Sequence, residues 1–285
     1  MPSVHAERNR RGRQRSREGD TMLKLYRFPG ATCAAKVLMA LAEKSVLFED
    51  ICLDRTELAT DWYRRLNPAG VVPTVIHDGV VIVESSVILN YIEDRFLGSG
   101  TRLRPDEPLL RASMNHWLKL LDDMLPSLGT ATYAIAARDR YLALPQAERD
   151  AYYDAIPDAY VRQSRRDAIE LGLAAPEAAR ALENLVGLTA RVEDSLRDRP
   201  FLCGDFSLAD ISLAPFISRI ETLGILASAP ERPLFDGWWA RVRERPSFIT
   251  GVEGSTPAPA VAALRAAGTR HAEEIAGLIR VPVAG

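Results

Sequence analysis

The sequence predicts two domains of different class, an α/β domain over residues 22–101 and an all-α helical bundle over residues 108–250. In the first hundred residues, short β-branched runs alternate with segments of helical periodicity, as expected for one mixed sheet with helices packed on it. After residue 108, apolar residues recur every three or four positions, which is typical of core-facing helices. With 285 residues, of which 47% are hydrophobic, the chain is long enough to build two such units.

Composition limits the classes of partner and the compartment. The formal net charge of −2 provides no overall field that would attract nucleic acid. No apolar run reaches the length of about 18 residues that a membrane span needs, so no membrane partner is expected. The three cysteines, Cys33, Cys52 and Cys203, have neither metal-ligand spacing nor a paired framework. This usage favours a reducing, cytoplasmic location and a protein without a bound metal.

The first 21 residues are rich in arginine and lack aliphatic periodicity. Such a run is predicted to be a disordered basic arm. Two alternatives are a patch that contacts an acidic surface and a translation start at Met22. Residues 102–107, which include Pro105, are the predicted linker between the two domains.

The α/β domain is predicted in the order strand, helix, strand, loop, hairpin, helix. The strand LKLYR leads into the loop and helix FPGATCAAKVLMALAEK, and LFEDICLD forms the second strand. The runs TVI and VVIV are joined by His77-Asp78-Gly79, and an Asp-Gly turn between two β-branched runs predicts a hairpin. The next segment, SSVILNYIEDRF, has helical spacing and is predicted to begin with Ser85 or Ser86 as its N-cap.

Two positions in this hairpin region predict a peptide-binding edge beside an anion site. Pro73 cannot donate to a strand ladder, so it belongs at an edge or at the start of a strand. A cis Val72-Pro73 bond would turn the Val72 backbone outward to pair with an extended peptide, whereas an ordinary trans proline would only start the strand. The free N–H groups where the helix begins after Glu84 favour a carboxylate.

Cys33 is the candidate reactive group of the first loop. It is expected at a helix N-terminus with Lys36 one turn later, and both features would lower the pKa of a thiol. The alternative is a small buried hydrophobic residue, because free cysteine is often interior.

Four stretches together resemble the cytosolic glutathione transferases. NPAGVVPTV, with the Asp-Gly hairpin and Glu84-Ser85, is similar to the glutathione-binding edge of that family. Residues 23–44 look like its first strand, catalytic loop and first helix. Residues 199–224 resemble its helical-domain segment with a Ser-x-x-Asp capping box, here Ser207 to Asp210, and residues 245–248 resemble the segment after its last core helix.

The resemblance implies a thioredoxin-like N-terminal domain, glutathione as co-substrate and a homodimer. It also implies which residues form the site. Glutathione would be held by Val72, Pro73, Glu84 and Ser85, with Lys36 assisting at the peptide carboxylate. Thr32 or Cys33 would activate the thiol, since a hydroxyl in this loop serves many members; Tyr26 falls within the strand, which argues against a tyrosine mechanism. The acceptor pocket would be lined by Phe28, His116, Trp117, Leu120 and Tyr133.

The implied reaction is attack of the glutathione thiol on a small, mostly apolar or aromatic electrophile. The long insert predicted at residues 134–175 is similar to that of bacterial β-etherase-type and dehalogenating members, so aryl-ether cleavage or dehalogenation is an expectation. Two alternatives stay open: a thiol oxidoreductase in which Cys33 becomes covalently linked to glutathione, and a non-catalytic binding protein of the same fold. The C-terminal extension, residues 251–285, would either cover the acceptor pocket or fray.

Overall fold

The computed structural model describes residues 22–279, and its first domain is built on a four-stranded sheet. The strands are β1 (Leu23–Arg27), β2 (Phe48–Cys52), β3 (Thr74–His77) and β4 (Val80–Val83), in the order β2-β1-β3-β4. β2 is parallel to β1, whereas β3 and β4 are antiparallel to their neighbours. With helices α1 (Thr32–Glu43), α2 (Asp61–Leu66) and α3 (Ser85–Arg95), this sheet confirms the predicted thioredoxin-like domain. The basic arm predicted for residues 1–21 lies outside the described residues.

The predicted hairpin is present between β3 and β4. His77 pairs with Val80 across the turn. Asp78 and Gly79 both have positive φ angles, 51° and 76°. An Asp-Gly pair suits this backbone because glycine and aspartate tolerate the left-handed region that a two-residue hairpin turn needs.

The second domain is helical, as predicted. Its helices are α4 (Pro108–Thr132), α5 (Arg138–Leu142), α6 (Gln146–Asp154), α7 (Ala159–Leu171), α8 (Ala178–Ser195), α9 (Leu208–Thr222), α10 (Pro233–Arg243), the short α11 (Pro246–Phe248), α12 (Ala258–Arg270) and α13 (Ala272–Leu278). The long helices α4 and α8 pack together, and a π-helical turn, Tyr133–Ala137, follows α4. No helix among residues 22–279 is both long and apolar enough to cross a membrane.

The insert between α4 and α8 has its own small core. Tyr141, Tyr153 and Ile169 are buried together there, and Tyr133 and Tyr152 pack against them. The sequence pattern indicated only a long polar connection, because the apolar residues of α5, α6 and α7 are few and widely spaced. Packing of their tyrosines nonetheless gives three helices in this part of the chain.

Helix α9 connects the two domains through one continuous core. Its residues from Leu208 to Ile217 are buried, and α9 packs against α1 of the first domain. The capping box at its start is confirmed: the Ala209 N–H donates to Ser207 Oγ at 3.3 Å, and the Ser207 N–H donates to the Asp210 carboxylate at 3.0 Å. This core packs α1 directly against the helical domain.

The described part of the C-terminal extension is helical. Helix α12 packs against α9 and against the π-helical turn that follows α4. Just before α12, the Ser255 carbonyl accepts a hydrogen bond of 3.0 Å from the Gly30 N–H, in the loop between β1 and α1. The extension therefore lies against both domains.

Candidate active site

The peptide edge has the predicted backbone geometry at Val72. The Val72-Pro73 bond is cis, which confirms that prediction. The Val72 side chain is buried in a small cluster with Leu53 and Tyr63. Its N–H and carbonyl bond to no other backbone group among the described residues. The preceding Val71 carbonyl, by contrast, accepts from Tyr63 Oη at 2.7 Å and from Asn67 Nδ2 at 2.8 Å. Val72 thus keeps both backbone groups available to a ligand.

Helix α3 begins one residue earlier than predicted. Its N-cap is Glu84, with φ 66° and ψ 114°, and Ser85 is already helical. Neither predicted cap, Ser85 nor Ser86, acts as one: Ser85 is the first helical residue, and Ser86 Oγ donates to Asp122 at 2.9 Å. Since no side chain caps α3, the first N–H groups of the helix remain available to an anion. The positive φ of Glu84 costs on the order of 1 to 3 kcal/mol, a strain found mainly at functional sites.

Cys33 lies at the predicted helix N-terminus but is not the low-pKa thiol that was predicted. It is the second residue of α1 and is partly buried. Burial raises the pKa of the Cys33 thiol, and this effect outweighs the opposing influence of the Lys36 ammonium and of the hydrogen bond from Ser85. The carboxylates of Asp122 and Glu84 raise the pKa further. The helix N-terminus and the lysine are present, but the sequence did not show how deeply the sulfur is buried.

The structure does not support the predicted contact between Lys36 and the glutathione carboxylate. The Lys36 side chain is completely buried. Its Nζ lies 3.6 Å from Asp122 Oδ1 and 5.2 Å from the centroid of the Phe216 ring, without a hydrogen-bond partner among the described residues. Lys36 faces the domain interface because α1 turns this side toward α4 and α9. It therefore acts on Cys33 through its charge.

Thr32 and Tyr26, the two residues whose hydroxyl groups were considered for activating the thiol, lie in different elements of the structure. Thr32 is the first residue of α1 and is partly exposed, next to Cys33. Tyr26 lies within β1, and its ring packs against Trp62 and Tyr63, with centroid distances of 6.4 Å to each. Tyr26 is thus part of the sheet and not of the loop that carries Thr32.

Three of the predicted acceptor residues lie away from this site. His116 is exposed, Trp117 is buried in the main core, and Leu120 packs against that core. Successive residues of an α-helix are rotated by about 100° around its axis. His116, Trp117 and Leu120 therefore project from α4 roughly 120° to 160° away from the direction of Asp122, which faces the site. Trp117 and Leu120 belong to the core-facing stripe of α4 and His116 faces solvent, so the structure does not bring these three residues to the site.

Phe28 and Tyr133 remain as acceptor candidates, and both lie near the interface of the two domains. Phe28 directly follows β1, and the Arg55 guanidinium lies 4.1 Å from its ring centroid. Tyr133 follows α4, and the Arg165 guanidinium lies 3.6 Å from its ring centroid. Burial opposes ionisation of Tyr133, but Arg165 and Arg55 outweigh it, so the pKa of this phenol is lowered.

Several polar residues of this region were not predicted from the sequence, namely Arg55, Asp122, Tyr152, Arg165 and Arg219. They come from five separate segments, and none belongs to a recognisable motif. The one available signal was the unusual density of arginine and tyrosine in the insert, from Tyr152 to Arg166. Within residues 22–279, no three His, Cys, Asp or Glu side chains come together as a metal site would require.

Comparison with known proteins identifies both domains. Family models described as "Glutathione S-transferase, N-terminal domain" and "Glutathione S-transferase, C-terminal domain" match residues 32–95 and 158–246. Protein LigF from Sphingobium sp. is 32% identical over 241 residues, covering 79% of this chain and 91% of its own. A tetrachloro-p-hydroquinone reductive dehalogenase from Sphingobium chlorophenolicum is 28% identical and covers 79% of this chain and 94% of its own.

Solved structures give the same result. The crystal structure of the beta-etherase LigF from Sphingobium sp. aligns with a TM-score of 0.74 at 29% identity, over 82% of this chain and 100% of that one. A theta class glutathione S-transferase from Xanthomonas axonopodis pv. citri, solved with glutathione bound, aligns with a TM-score of 0.59 at 26% identity, over 81% of this chain and 96% of that one.

Proposed function

Because the chain belongs to the glutathione S-transferase family, we propose that it activates the thiol of glutathione for attack on a small, mostly apolar or aromatic electrophile. The observation that carries this proposal is that the N-termini of α1 and α3 meet: Ser85, the first residue of α3, lies close enough to Cys33, the second residue of α1, for its hydroxyl to act on the thiol. The N-terminus of α1 carries the candidate thiol-activating residues Thr32 and Cys33, and the N-terminus of α3 carries the anion site.

Glutathione would lie along the edge that these elements form. The Val72 backbone pairs with the backbone of the bound peptide, in the manner of an added strand. Glu84 pairs with the ligand amino group, and Ser85 holds the γ-glutamyl carboxylate through its hydroxyl, together with the free N–H groups at the start of α3. Pro73 restricts the chain next to Val72.

Thr32 or Cys33 would then stabilise the glutathione thiolate by donating a hydrogen bond. The raised pKa of Cys33 keeps a proton on its sulfur near neutral pH, so Cys33 fits the role of donor better than that of nucleophile. Lowering the pKa of the bound thiol supplies the nucleophile, and holding it beside the acceptor supplies proximity.

The substrate class follows from the relatives and from Phe28 and Tyr133. LigF is a β-etherase and the second relative a reductive dehalogenase. For this chain we infer displacement at an activated carbon: a carbon–sulfur bond forms, a carbon–oxygen or carbon–halogen bond breaks, and aryloxide or halide leaves with the electron pair. The aromatic residues at the domain interface favour an aromatic acceptor.

Glutathione binding tests the proposal directly. Ser85→Ala should weaken binding of S-methylglutathione by roughly 1 to 3 kcal/mol, the cost of losing a charged hydrogen bond, in calorimetry. Ser86→Ala is the matched control, because its hydroxyl bonds to Asp122. Equal affinities of wild type and Ser85→Ala would remove Ser85 from the site, and no binding by the wild type would refute the proposal.

We also propose that the protein is a homodimer. Val80 and Val81 on the outer strand β4 and Val87 on α3 expose 61%, 38% and 55% of their surfaces. An edge strand with exposed valines favours association, since burying apolar surface is the main driving force for it. Sedimentation of wild type and of Val80→Lys/Val87→Lys would test this; a wild-type monomer would contradict it.

A cytoplasmic location remains a proposal that rests on cysteine usage. Cys33, Cys52 and Cys203 are all free thiols, as expected in a reducing compartment. Fractionation of the native host followed by immunoblotting would test it.

A further inference from the structure

Three arginines and two tyrosines meet where the insert faces the first domain. In this arginine–tyrosine cluster (Arg55, Tyr133, Tyr152, Arg165 and Arg219), Arg165 lies 3.6 Å from the Tyr133 ring centroid and donates to Tyr152 Oη at 2.7 Å. Tyr152 Oη donates to Tyr133 Oη at 3.3 Å. Because Arg165 stacks on its ring and Tyr152 donates to its oxygen, the Tyr133 phenol is held in one orientation.

The cluster adjoins the loop that leads to Thr32 and Cys33. Arg219, on α9, donates to the Gly30 carbonyl at 2.7 Å. Arg55, which follows β2, covers the ring of Phe28 in the same loop. The cluster therefore borders the loop that precedes Thr32 and Cys33, and it reaches that loop from the helical domain through Arg219.

The arginines of the cluster have no ion-pair partner among the described residues, although the charge of Arg55 acts on the adjacent Asp54 carboxylate. Within residues 22–279, Arg55, Arg165 and Arg219 form no ion pair with Asp or Glu, whereas the adjacent Arg166 pairs with Asp150 at 3.3 Å. Burial and then the neighbouring Arg55 lower the pKa of Arg219 to about 10. The lowered pKa of Tyr133 reports the same positive potential.

We propose that the arginine–tyrosine cluster binds a carboxylate carried by the aromatic acceptor, so that anionic aromatic electrophiles are preferred over neutral ones. Guanidinium groups bind carboxylates through short, charge-assisted hydrogen bonds. The rings of Phe28 and Tyr133 supply faces for the aromatic part of the ligand. This inference rests on the proposed function, because it names the substrate class of the same site.

The other possible source of a carboxylate is glutathione itself. Four of the five cluster residues belong to the helical domain, whereas the proposed peptide edge and anion site belong to the first domain. The cluster also contains two phenols, which suit an aromatic ligand better than the glycine end of a peptide. The acceptor is thus the better match.

Binding of an unreactive pair of ligands tests the inference without requiring turnover. By calorimetry, the wild type should bind 4-nitrobenzoate about tenfold or more tightly than 4-nitrobenzamide, which has the same ring without the charge. Arg165→Gln and Arg55→Gln should each reduce benzoate affinity about tenfold while leaving amide affinity unchanged. Arg166→Gln, the matched control, should keep the wild-type preference, because Arg166 already has a carboxylate partner.

Equal affinities for the two ligands in the wild type, or a preference that survives both arginine substitutions, would overturn the inference. Arg55 is exposed, so Arg55→Gln decides the matter if Arg165→Gln fails to fold. Saturating S-methylglutathione should leave benzoate affinity unchanged. Competition between the two would assign the cluster to the carboxylate of glutathione and overturn the acceptor assignment.

The same measurements separate this inference from the proposed function. A protein that binds S-methylglutathione and conjugates 1-chloro-2,4-dinitrobenzene, but shows no preference for benzoate, keeps its function and loses the acceptor site. A protein that does neither, yet binds benzoate in an arginine-dependent way, refutes the transferase function and supports the carboxylate site.

Discussion

At the scale of single residues, the Cys33 thiol is subject to opposing influences. The Lys36 ammonium and the Ser85 hydroxyl favour the thiolate, whereas burial and the Asp122 and Glu84 carboxylates favour the neutral thiol. Burial is the largest influence, so the pKa of Cys33 is raised. Local sequence shows the lysine and the helix start, but desolvation depends on what the second domain places over the sulfur.

The raised pKa predicts how alkylation of Cys33 depends on pH. In Cys52→Ser protein, the rate of Cys33 modification by iodoacetamide should keep rising through pH 9, because only the thiolate reacts. Lys36→Met should slow the reaction at pH 8 by about three- to tenfold, the change expected for half to one pKa unit. Lys24→Met is the control, since Lys24 pairs with Glu49 on the sheet surface. Mass spectrometry of the Cys33 peptide gives the rates, and a plateau below pH 7 would contradict the prediction.

Turnover by the Cys33→Ser variant decides whether the Cys33 thiol acts as a hydrogen-bond donor or forms a disulfide with glutathione during the reaction. If glutathione is conjugated, this variant should keep substantial turnover, because a serine hydroxyl can donate to the glutathione thiolate. If a disulfide between Cys33 and glutathione is obligatory, turnover should be lost. Mass spectrometry after incubation with oxidised glutathione provides the second readout. An adduct at Cys33 with loss of turnover would favour the oxidoreductase alternative, whereas no adduct and full activity would leave Thr32 as the thiol-activating residue.

At the scale of secondary-structure elements, the start of α9 depends on one buried carboxylate. Asp210 accepts from the Leu202 N–H at 3.1 Å, from the Ser207 N–H at 3.0 Å and from Trp238 Nε1 at 2.8 Å. The capping box was visible in the sequence because its partners are three residues apart. Leu202 and Trp238 were not visible as partners, since Trp238 is 28 positions away.

Asp210→Ala should therefore destabilise the protein much more than loss of an ordinary cap. It leaves four buried donors unpaired, the three N–H groups and the Ser207 hydroxyl, which donates to Asp210 at 3.1 Å. At roughly 1 to 3 kcal/mol each, the free energy of unfolding should fall by at least about 4 kcal/mol. Ser207→Ala should cost only about 1 kcal/mol. Urea unfolding measures both, with exposed Asp205→Ala as the control. Equal effects of Asp210→Ala and Ser207→Ala would show that Asp210 acts only as a cap.

At the scale of the whole molecule, a partly buried ion pair joins the two domains. Arg245 Nε and Nη2 donate to the two Glu43 oxygens at 2.8 Å and 2.9 Å, and Ser247 Oγ donates to Oε1 at 2.6 Å. Glu43 ends α1, and the other two residues flank the start of α11. Burial opposes ionisation of Glu43, but these hydrogen bonds outweigh it, so its pKa is lowered.

The lowered pKa of Glu43 predicts a pH-dependent contribution to stability. A carboxyl group whose pKa is lower in the folded protein than in the unfolded chain stabilises the folded state at pH values above its unfolded-state pKa. This contribution is lost as the pH falls through its folded-state pKa. Glu43→Gln should lower the free energy of unfolding by about 2 kcal/mol at pH 7. The difference from wild type should shrink below about pH 4.5, the usual Glu value. Glu49→Gln, which breaks an exposed pair with Lys24, should leave the free energy of unfolding nearly unchanged at either pH. Urea unfolding at pH 7 and pH 4 would contradict the prediction if Glu43→Gln behaved like Glu49→Gln.

The elements and the peptide edge could be predicted from sequence because their determinants are local. The hairpin follows from two β-branched runs and an Asp-Gly turn, and the start of α9 from a serine and an aspartate three positions apart. Val72-Pro73 and Glu84-Ser85 were recognised because each pair is contiguous. The exact start of α3 did not follow from local sequence: Ser85 is already helical, and Ser86 Oγ bonds to Asp122 on α4 instead of capping the helix.

The sequence by itself determined the fold class, the family resemblance and the position of the thiol loop, since periodicity, turn chemistry and short motifs are written in neighbouring residues. Only the tertiary structure decided that Cys33 has a raised pKa, that Lys36 is buried, that Trp117 belongs to the core and that three arginines from distant segments surround Tyr133. Burial and electrostatic potential are sums over residues that are close in space and far apart in the chain. A pattern read along one segment contains no information about which distant side chains will surround it.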